Sequence, residues 1–592
     1  VNGKFVNSIS DLLKGKKGLI RQSILGKRCN YSGRSVIVPD PYISMDEIVI
    51  PWEIAKILYP EDKEILSMGF GTKILLEDKY VLLTRAPSLH KYSVQAFRPI
   101  IENGTKAFKI NPSICQGFNA DFDGDQMSIF TLQNGESIKE AKEKLIPQRN
   151  LISIANGGIL PSMSLDIRLG IYLMFNDKGG CELIKEILGD DVTLGSFERR
   201  TKAMLMSVRS KEAKENIEVL LRMAFEYATK FGMSFGMFDL QELDLDENKI
   251  KECMKSYWDR YGYENIKMAT MNEAEINKYK QIVADAGNGI KRHLGIHNES
   301  KVGKLRKYKD NPVSVIYFSG AKKDDRQLMQ LIGAKGILEY PLAQKTMAPI
   351  VSNYFKGLHP FEYFISTYQA RSTVMDKKLK TAPCGYLTRR LVSAAYDMTI
   401  SHKRACNSKE GLTITLSEDN EDKNRWIIGR CLVEGISKQK ISIKRNTVID
   451  KAIFEKIVSF GSTIKIRSPI YCAVKGGGIC APCYGWNLSN EKLPEAGLAI
   501  GIIAGQSVGE RLTQLAMRSY HTGSAEGAVK DFGYIENGFD GKDLFTVKEL
   551  SELLEIYNHK VDSKHFEVIM RCMENGKKRI SDVALKQESF LS

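Results

Sequence analysis

Seven residues, Asn119-Ala120-Asp121-Phe122-Asp123-Gly124-Asp125, place three carboxylates at alternate positions with no neighbouring base to neutralise them. Two like charges about 4 Å apart repel by roughly 4 kcal/mol at an effective dielectric near 20, so convergence of all three makes sense around a cation. An all-oxygen ligand set suits Mg²⁺. A helix would scatter these side chains, whereas a strand and turn would converge them. Gly124 permits a sharp turn, and Phe122 is expected to anchor the loop in a core. A solvated acidic turn is the competing reading. Against it stand the apolar, strand-like runs at 108–114 and 127–132, which hold the acids on a folded scaffold. A second group able to do chemistry is the Cys480-Ala481-Pro482-Cys483 knuckle behind Gly476-Gly477-Gly478. It has the tight turn that thiolate coordination of Zn²⁺ requires, and Cys472 is close enough to join. A redox CxxC is the alternative, disfavoured by the glycine-rich flank and the absence of a helix-start pattern.

Composition bounds the elements that must position these groups. A chain of 592 residues exceeds a single core and should divide into several domains. A net charge of +15, from 86 basic and 71 acidic residues, favours a polyanionic partner, nucleic acid ahead of an acidic membrane surface. No apolar run is long enough to span a bilayer, and eleven thinly spread cysteines argue for reduced thiols plus one metal site. Seven bases between Lys14 and Arg34, with no acid among them, read either as a solvated face or as phosphate contacts. Residues 36–132 alternate β-branched runs with Pro and Gly turns, as a barrel would. Residues 133–318 turn helical, with Leu, Ile and Met at three- and four-residue spacing, as over 215–231 and 244–263.

The string from Asn119 to Asp125 resembles the active-site signature of the largest subunit of multisubunit DNA-directed RNA polymerases, the bacterial β′ type. The resemblance implies that Asp121, Asp123 and Asp125 hold the catalytic Mg²⁺ on a double-psi β-barrel. Arg21-Gln22 through Gly26-Lys27-Arg28, then Tyr31 through Ile37, resemble a switch region at the template strand, implying DNA contacts for Lys27, Arg28 and Arg34. Arg85-Ala86-Pro87-Ser88-Leu89-His90 resembles the motif whose arginine reaches the sugar hydroxyls of the incoming nucleotide. Asn119 would read the same ribose, because leaving such buried groups unpaired costs affinity; His90 reads as a structural histidine. Ser319-Gly320-Ala321-Lys322 matches a segment with an arginine near the triphosphate, here Lys322, which keeps the charge without the bidentate fork.

Tyr363 through Thr367, Lys380-Thr381-Ala382 and Gly385 through Leu391 are similar to the bridge helix, where small Thr381 and Ala382 would meet a template base. Pro383 breaks that pattern and is expected to kink or loosen the helix. Cys406 joins Cys472, Cys480 and Cys483 in a structural zinc site through the resemblance alone, with His402 as a substitute ligand. Gly505-Gln506-Ser507-Val508-Gly509-Glu510 and the run Thr513 to Gly523 resemble the trigger loop. Gln514 and Met517 would then face the nucleotide and Arg518 and His521 its phosphates, Met517, Arg518 and His521 sharing one helical face. His521 would donate a proton to leaving pyrophosphate or stabilise its charge. Arg511 replaces the family's usual proline at the hinge.

The fold expected is a multidomain α+β one. A switch-like segment (1–35) precedes the barrel (36–132), a helical pore (133–318), a segment with the bridge helix (319–405), a zinc module (406–495) and the trigger loop (496–530); residues 531–592 stay unassigned. The resemblance covers roughly residues 7–525. It implies a split subunit, as in large bacteriophages or plastids, with other chains supplying the missing β′ parts, alongside a second large β-like subunit, a promoter-specificity factor, DNA template, RNA and nucleotides, and no membrane. A cytoplasmic or virion-packaged protein is expected in preference to a plastid one. The activity implied is template-directed nucleotidyl transfer with two Mg²⁺, one carried by the triad. Alternatives are an RNA-templated RNA polymerase or a related two-barrel polymerase and, from another class, a non-catalytic nucleic-acid-binding or assembly subunit.

Overall fold

Six strands between Ser32 and Thr131 close on themselves. The computed structural model describes residues 8–243, 311–522 and 560–576, apart from 14–16, 25, 27, 164, 208–209, 336–338, 341–344, 347–349, 351, 417–424, 439–440, 460–462 and 475–476. The barrel strands are β1 (Ser32–Pro39), β2 (Glu47–Pro51), β4 (Val81–Thr84), β5 (Val94–Glu102), β6 (Phe108–Ile110) and β7 (Gln126–Thr131), with β3 (Lys73–Leu75) added beside β5. Their order is β2-β6-β1-β7-β4-β5, and a parallel pairing of β5 with β2, Glu47 opposite Arg98, closes the ring. Closure removes the exposed edges an open sheet would present. Inward side chains such as Ile37, Ile48, Val81, Phe97, Phe108, Met127 and Ile129 fill the interior. The barrel starts earlier than the expected boundary at 36, because Arg34 already pairs with Ser128 across β1 and β7.

Helices pack against one side of this core. Helix α1 (Asp166–Asn176) lies against α2 (Ser210–Phe231) so closely that a Cβ on Gly170 would sit 1.9 Å from the Ala224 carbonyl oxygen. The expected helical stretch at 244–263 lies outside the described residues.

A second core is built around α3 (Pro360–Ala395), 36 residues long, and α4 (Ile500–Thr522). At 1.5 Å per residue α3 spans roughly 54 Å. His359 and Glu362 form a capping box at its start, and the helix runs from Pro360 to Ala395 with Pro383 inside it. Its second half buries Cys384, Leu387, Leu391 and Ala395, which hold the segment where the proline removes one donor. Glycines at every fourth position of α4 let it press on α3: added Cβ atoms would meet the Ala395 oxygen at 1.7 Å (Gly501), Val392 at 3.0 Å (Gly505) and Thr388 at 2.4 Å (Gly509).

The stretch left unassigned by sequence contains α5 (Ser563–Gly576), whose residues Phe566, Val568 and Ile569 are fully buried in this second core. Arg430 and Glu567, both buried, form an ion pair there that Ser563 and Ser468 complete by hydrogen bonds.

Candidate active site

The acidic loop hangs between a short helical turn, Cys115–Phe118, and strand β7. Phe118 is buried against Phe97 in the barrel, and Asn119 ends the turn in the left-handed region at φ 48°. Asparagine tolerates that region better than other non-glycine residues, and Gly124, at φ 116°, makes the second reversal. The Ile37 amide donates to the Asp125 carbonyl at 3.0 Å and ties the loop's end to β1. Phe122 does not anchor the loop: it is exposed and lines a cavity, as do Asn119 and Asp121. The anchor is Phe118, one turn earlier, because the chain reverses at Asn119 and carries the next residues off the barrel.

Carboxylate oxygens of Asp121, Asp123 and Asp125 lie within 4.8 Å of one another, an arc that one cation can bridge. They are exposed or half-buried rather than buried, so a ligand can reach them. Partial burial, then the hydrogen bond and charge of Asp123 and the charge of Asp125, raise the Asp121 carboxyl above its usual range. At Asp125 burial pulls the same way, but the Arg85 guanidinium and the Asp121 amide overcome it and hold the carboxyl low. Arg85 Nε donates to Asp125 Oδ2 at 2.7 Å, and the Asp121 amide to the same oxygen at 3.2 Å. The oxygen-only donor set and its unpaid mutual repulsion fit a hard divalent cation. His90 lines the same cavity as Asn119; its Nδ1 accepts from the Tyr92 amide at 3.2 Å, and burial pushes its pKa down to about 4.

A cavity of about 1170 Å³ opens beside the loop. Asn119, Asp121 and Phe122 form one wall, residues 153–156 another, and Gln506, Glu510, Arg511 and Gln514 of α4 a third. Gln514 therefore lines the same cavity as Asn119 and Asp121. Arg511 is buried, with Nη1 donating to Gln514 Oε1 at 3.3 Å, and it lies inside helix α4. Met517, Arg518 and His521 belong to α4, but their side chains lie outside the described residues, as do Lys27 and the expected loop tip at 523–525. Arg28 and Arg34 are exposed before and within β1, Lys322 is exposed in a turn, and Thr381 and Ala382 are half-buried and exposed on α3. Among the described residues, none of these five lines the cavity. Sequence reasoning missed Tyr92, whose hydroxyl donates to the Ile152 carbonyl at 3.2 Å and accepts from the Ile154 amide at 2.9 Å, joining barrel to cavity wall. No local pattern marks it, since its partners are some sixty residues away.

Strand β8 (Thr399–His402) pairs in parallel with β11 (Gly478–Cys480), and β9 (Leu412–Thr415) pairs with β10 (Thr463–Ile466). This framework brings Cys406 to Cys472, Cys480 and Cys483, with sulfur separations of 3.5 Å (406 to 483), 3.9 Å (406 to 472) and 3.8 Å (472 to 480). A tetrahedron of thiolates about 2.3 Å from Zn²⁺ has edges near 3.8 Å, so the spacing fits. Hydrogen bonds from Cys483 and Cys480 hold Cys406 and Cys472, respectively, below the usual thiol range. Arg467 Nη1 adds a positive charge 3.4 Å from the Cys406 sulfur. His402 is no substitute ligand, because its exposed ring turns to the Arg404 carbonyl at 2.8 Å. The knuckle does run into a helical turn, Ala481–Tyr484, contrary to expectation. Convergence of four sulfurs, rather than two, is what disfavours a redox pair.

Two family models match the chain. One, described as RNA polymerase Rpb1, domain 2, covers residues 26–68 and 62–146, and the other, RNA polymerase Rpb1, domain 5, covers 357–537. DNA-directed RNA polymerase subunit beta' of Aquifex pyrophilus is 32% identical over 91% of this chain and 39% of its own length. The subunit beta' proteins of Aquifex aeolicus (32% identical, 91% of this chain, 40% of its own) and Thermodesulfovibrio yellowstonii (32%, 90% and 45%) match similarly. The chain thus spans less than half the length of these relatives.

Proposed function

Because this chain belongs to the family of largest, β′-type subunits of DNA-directed RNA polymerases, we propose that it carries the catalytic centre of such an enzyme and performs template-directed nucleotidyl transfer. The observation that carries this reading is the convergence of Asp121, Asp123 and Asp125, with Asp121 lining a cavity that residues of helix α4 also line. The three carboxylates would hold Mg²⁺. When bound, that ion, with a second entering alongside the nucleotide, lowers the pKa of the RNA 3′-hydroxyl and neutralises charge on the attacking and leaving oxygens. The barrel is read as a double-psi barrel, α3 as the bridge helix, α4 as the stem of the trigger loop, and the four cysteines as a structural zinc site. Arg85 and Asn119 flank the acids and present a guanidinium and an amide to the ribose hydroxyls, and Gln514 reaches the nucleotide from α4. Met517 would pack on the base while Arg518 and His521 approach the phosphates, excluding water as the loop folds. Lys322 serves the triphosphate; Lys27, Arg28, Arg34, Thr381 and Ala382 contact template DNA. The enzyme would act with a second large subunit, on DNA, RNA and nucleoside triphosphates.

The test is extension of a primed RNA by the assembled complex on a DNA and on an RNA template, wild type against Asp123→Ala. Loss of extension by at least about a hundredfold in the variant, with DNA preferred as template, is expected. Undiminished synthesis by Asp123→Ala overturns the assignment, and preference for the RNA template overturns the choice of template.

A further inference from the structure

Residues 153–156 line the same cavity as Asn119 and Asp121, yet they belong to no helix or strand of their own. The turn is closed by its own backbone, the Gly157 amide donating to the Ser153 carbonyl and the Ser153 amide to the Gly158 carbonyl, both at 2.8 Å, and its remaining polar groups are met from outside it. On the barrel side Tyr92, 4% exposed, does this through its hydroxyl. On the opposite side the holder is α5 and the residue before it: the Asp562 amide donates to the Ala155 carbonyl at 2.9 Å, and His565 Nε2 lies 3.3 Å from the Ile154 carbonyl. His565 is fully buried, and its Nδ1 has no partner among the described residues. With a carbonyl as its neighbour, Nε2 carries the proton, and Nδ1 is left as an unsatisfied buried acceptor. Such an arrangement costs stability. Leucine or phenylalanine would fill the space without that cost, so the imidazole is there for the hydrogen bond it makes.

The same helix is fastened at several other points. Lys564 Nζ donates to the Trp486 carbonyl at 2.5 Å, Arg430 pairs with Glu567, and Arg571 donates to the Ile470 and Cys472 carbonyls at 3.1 and 2.6 Å. One end of α5 therefore grips the loop that carries a cysteine ligand, and the other end grips the wall of the catalytic cavity.

We propose that α5 is a positioning element of the active site, with His565 as the positioning residue that fixes the wall at Ile154 and Ala155 against the acidic loop; the part concerning nucleotide affinity rests on the function proposed above. The test uses the full chain in its assembled complex with three variants. His565→Leu removes the donor, His565→Gln keeps one, and Arg571→Met frees α5 from the cysteine loop without touching the wall. Hydrogen exchange over 152–158 should quicken roughly tenfold in His565→Leu, stay near wild type in His565→Gln, and change little in Arg571→Met. The apparent KM for nucleotide should rise several-fold in His565→Leu while kcat holds. Unchanged exchange in His565→Leu overturns the proposal whatever happens to synthesis. Equal loosening in Arg571→Met also overturns it, because the effect is then general destabilisation. Asp123→Ala should leave the exchange pattern intact, so failure of the catalytic assignment is read separately.

Discussion

At the residue scale, the groups with chemistry to do are held by specific pairings. Asp125 is oriented by two donors on one oxygen, Arg85 and the Asp121 amide, which leaves its other oxygen for a cation. The buried Arg430 and Glu567 pair shows how strongly such arrangements depend on completeness, being 2% and 0% exposed with Ser563 and Ser468 supplying the remaining hydrogen bonds. Removing one partner strands the other as an uncompensated buried charge. Arg430→Met should therefore destabilise the fold by about 3–5 kcal/mol, whereas Arg430→Met with Glu567→Leu should recover most of that loss. Denaturant midpoints of the two variants decide it; equal loss in single and double variants refutes the argument.

At the scale of elements, α3 and α4 touch because Gly501, Gly505 and Gly509 leave no Cβ between them. That contact explains why Pro383 does not break α3: the packing of Leu387 and Leu391 compensates for one missing backbone donor. The Leu379 carbonyl still lacks its helical partner, since proline has no N–H. Amides flanking Pro383 should exchange faster than those at 387–391, and Pro383→Ala should slow them, stabilising the helix locally by about 1–3 kcal/mol. Uniform protection over 378–388 in the unmodified chain would falsify this. A long helix here, with a proline inside it, was legible in the sequence through the family resemblance; the packing that holds it was not, because that depends on a partner helix more than a hundred residues later.

For the whole molecule, two cores meet through α5 and the cavity wall. The cysteine set lies in the second core, so removing the zinc proposed for it should propagate. Treatment with a zinc chelator, or Cys472→Ser, is expected to release one equivalent of Zn²⁺ and to increase exchange of α5 amides, while barrel amides stay protected; metal content and exchange together check this, and retention of Zn²⁺ by Cys472→Ser counts against the site. The sequence by itself determined the local matters: three acids at alternate positions with a glycine to turn them, the Cys480 and Cys483 knuckle and the alternating pattern of the barrel strands. These depend on neighbours within a few residues. Only tertiary structure decided that Phe118 rather than Phe122 anchors the acidic loop, that β2 and β5 close the barrel, and that α5 completes a core. Each of those rests on a contact between residues distant in the chain, and local spacing carries no information about where the chain returns.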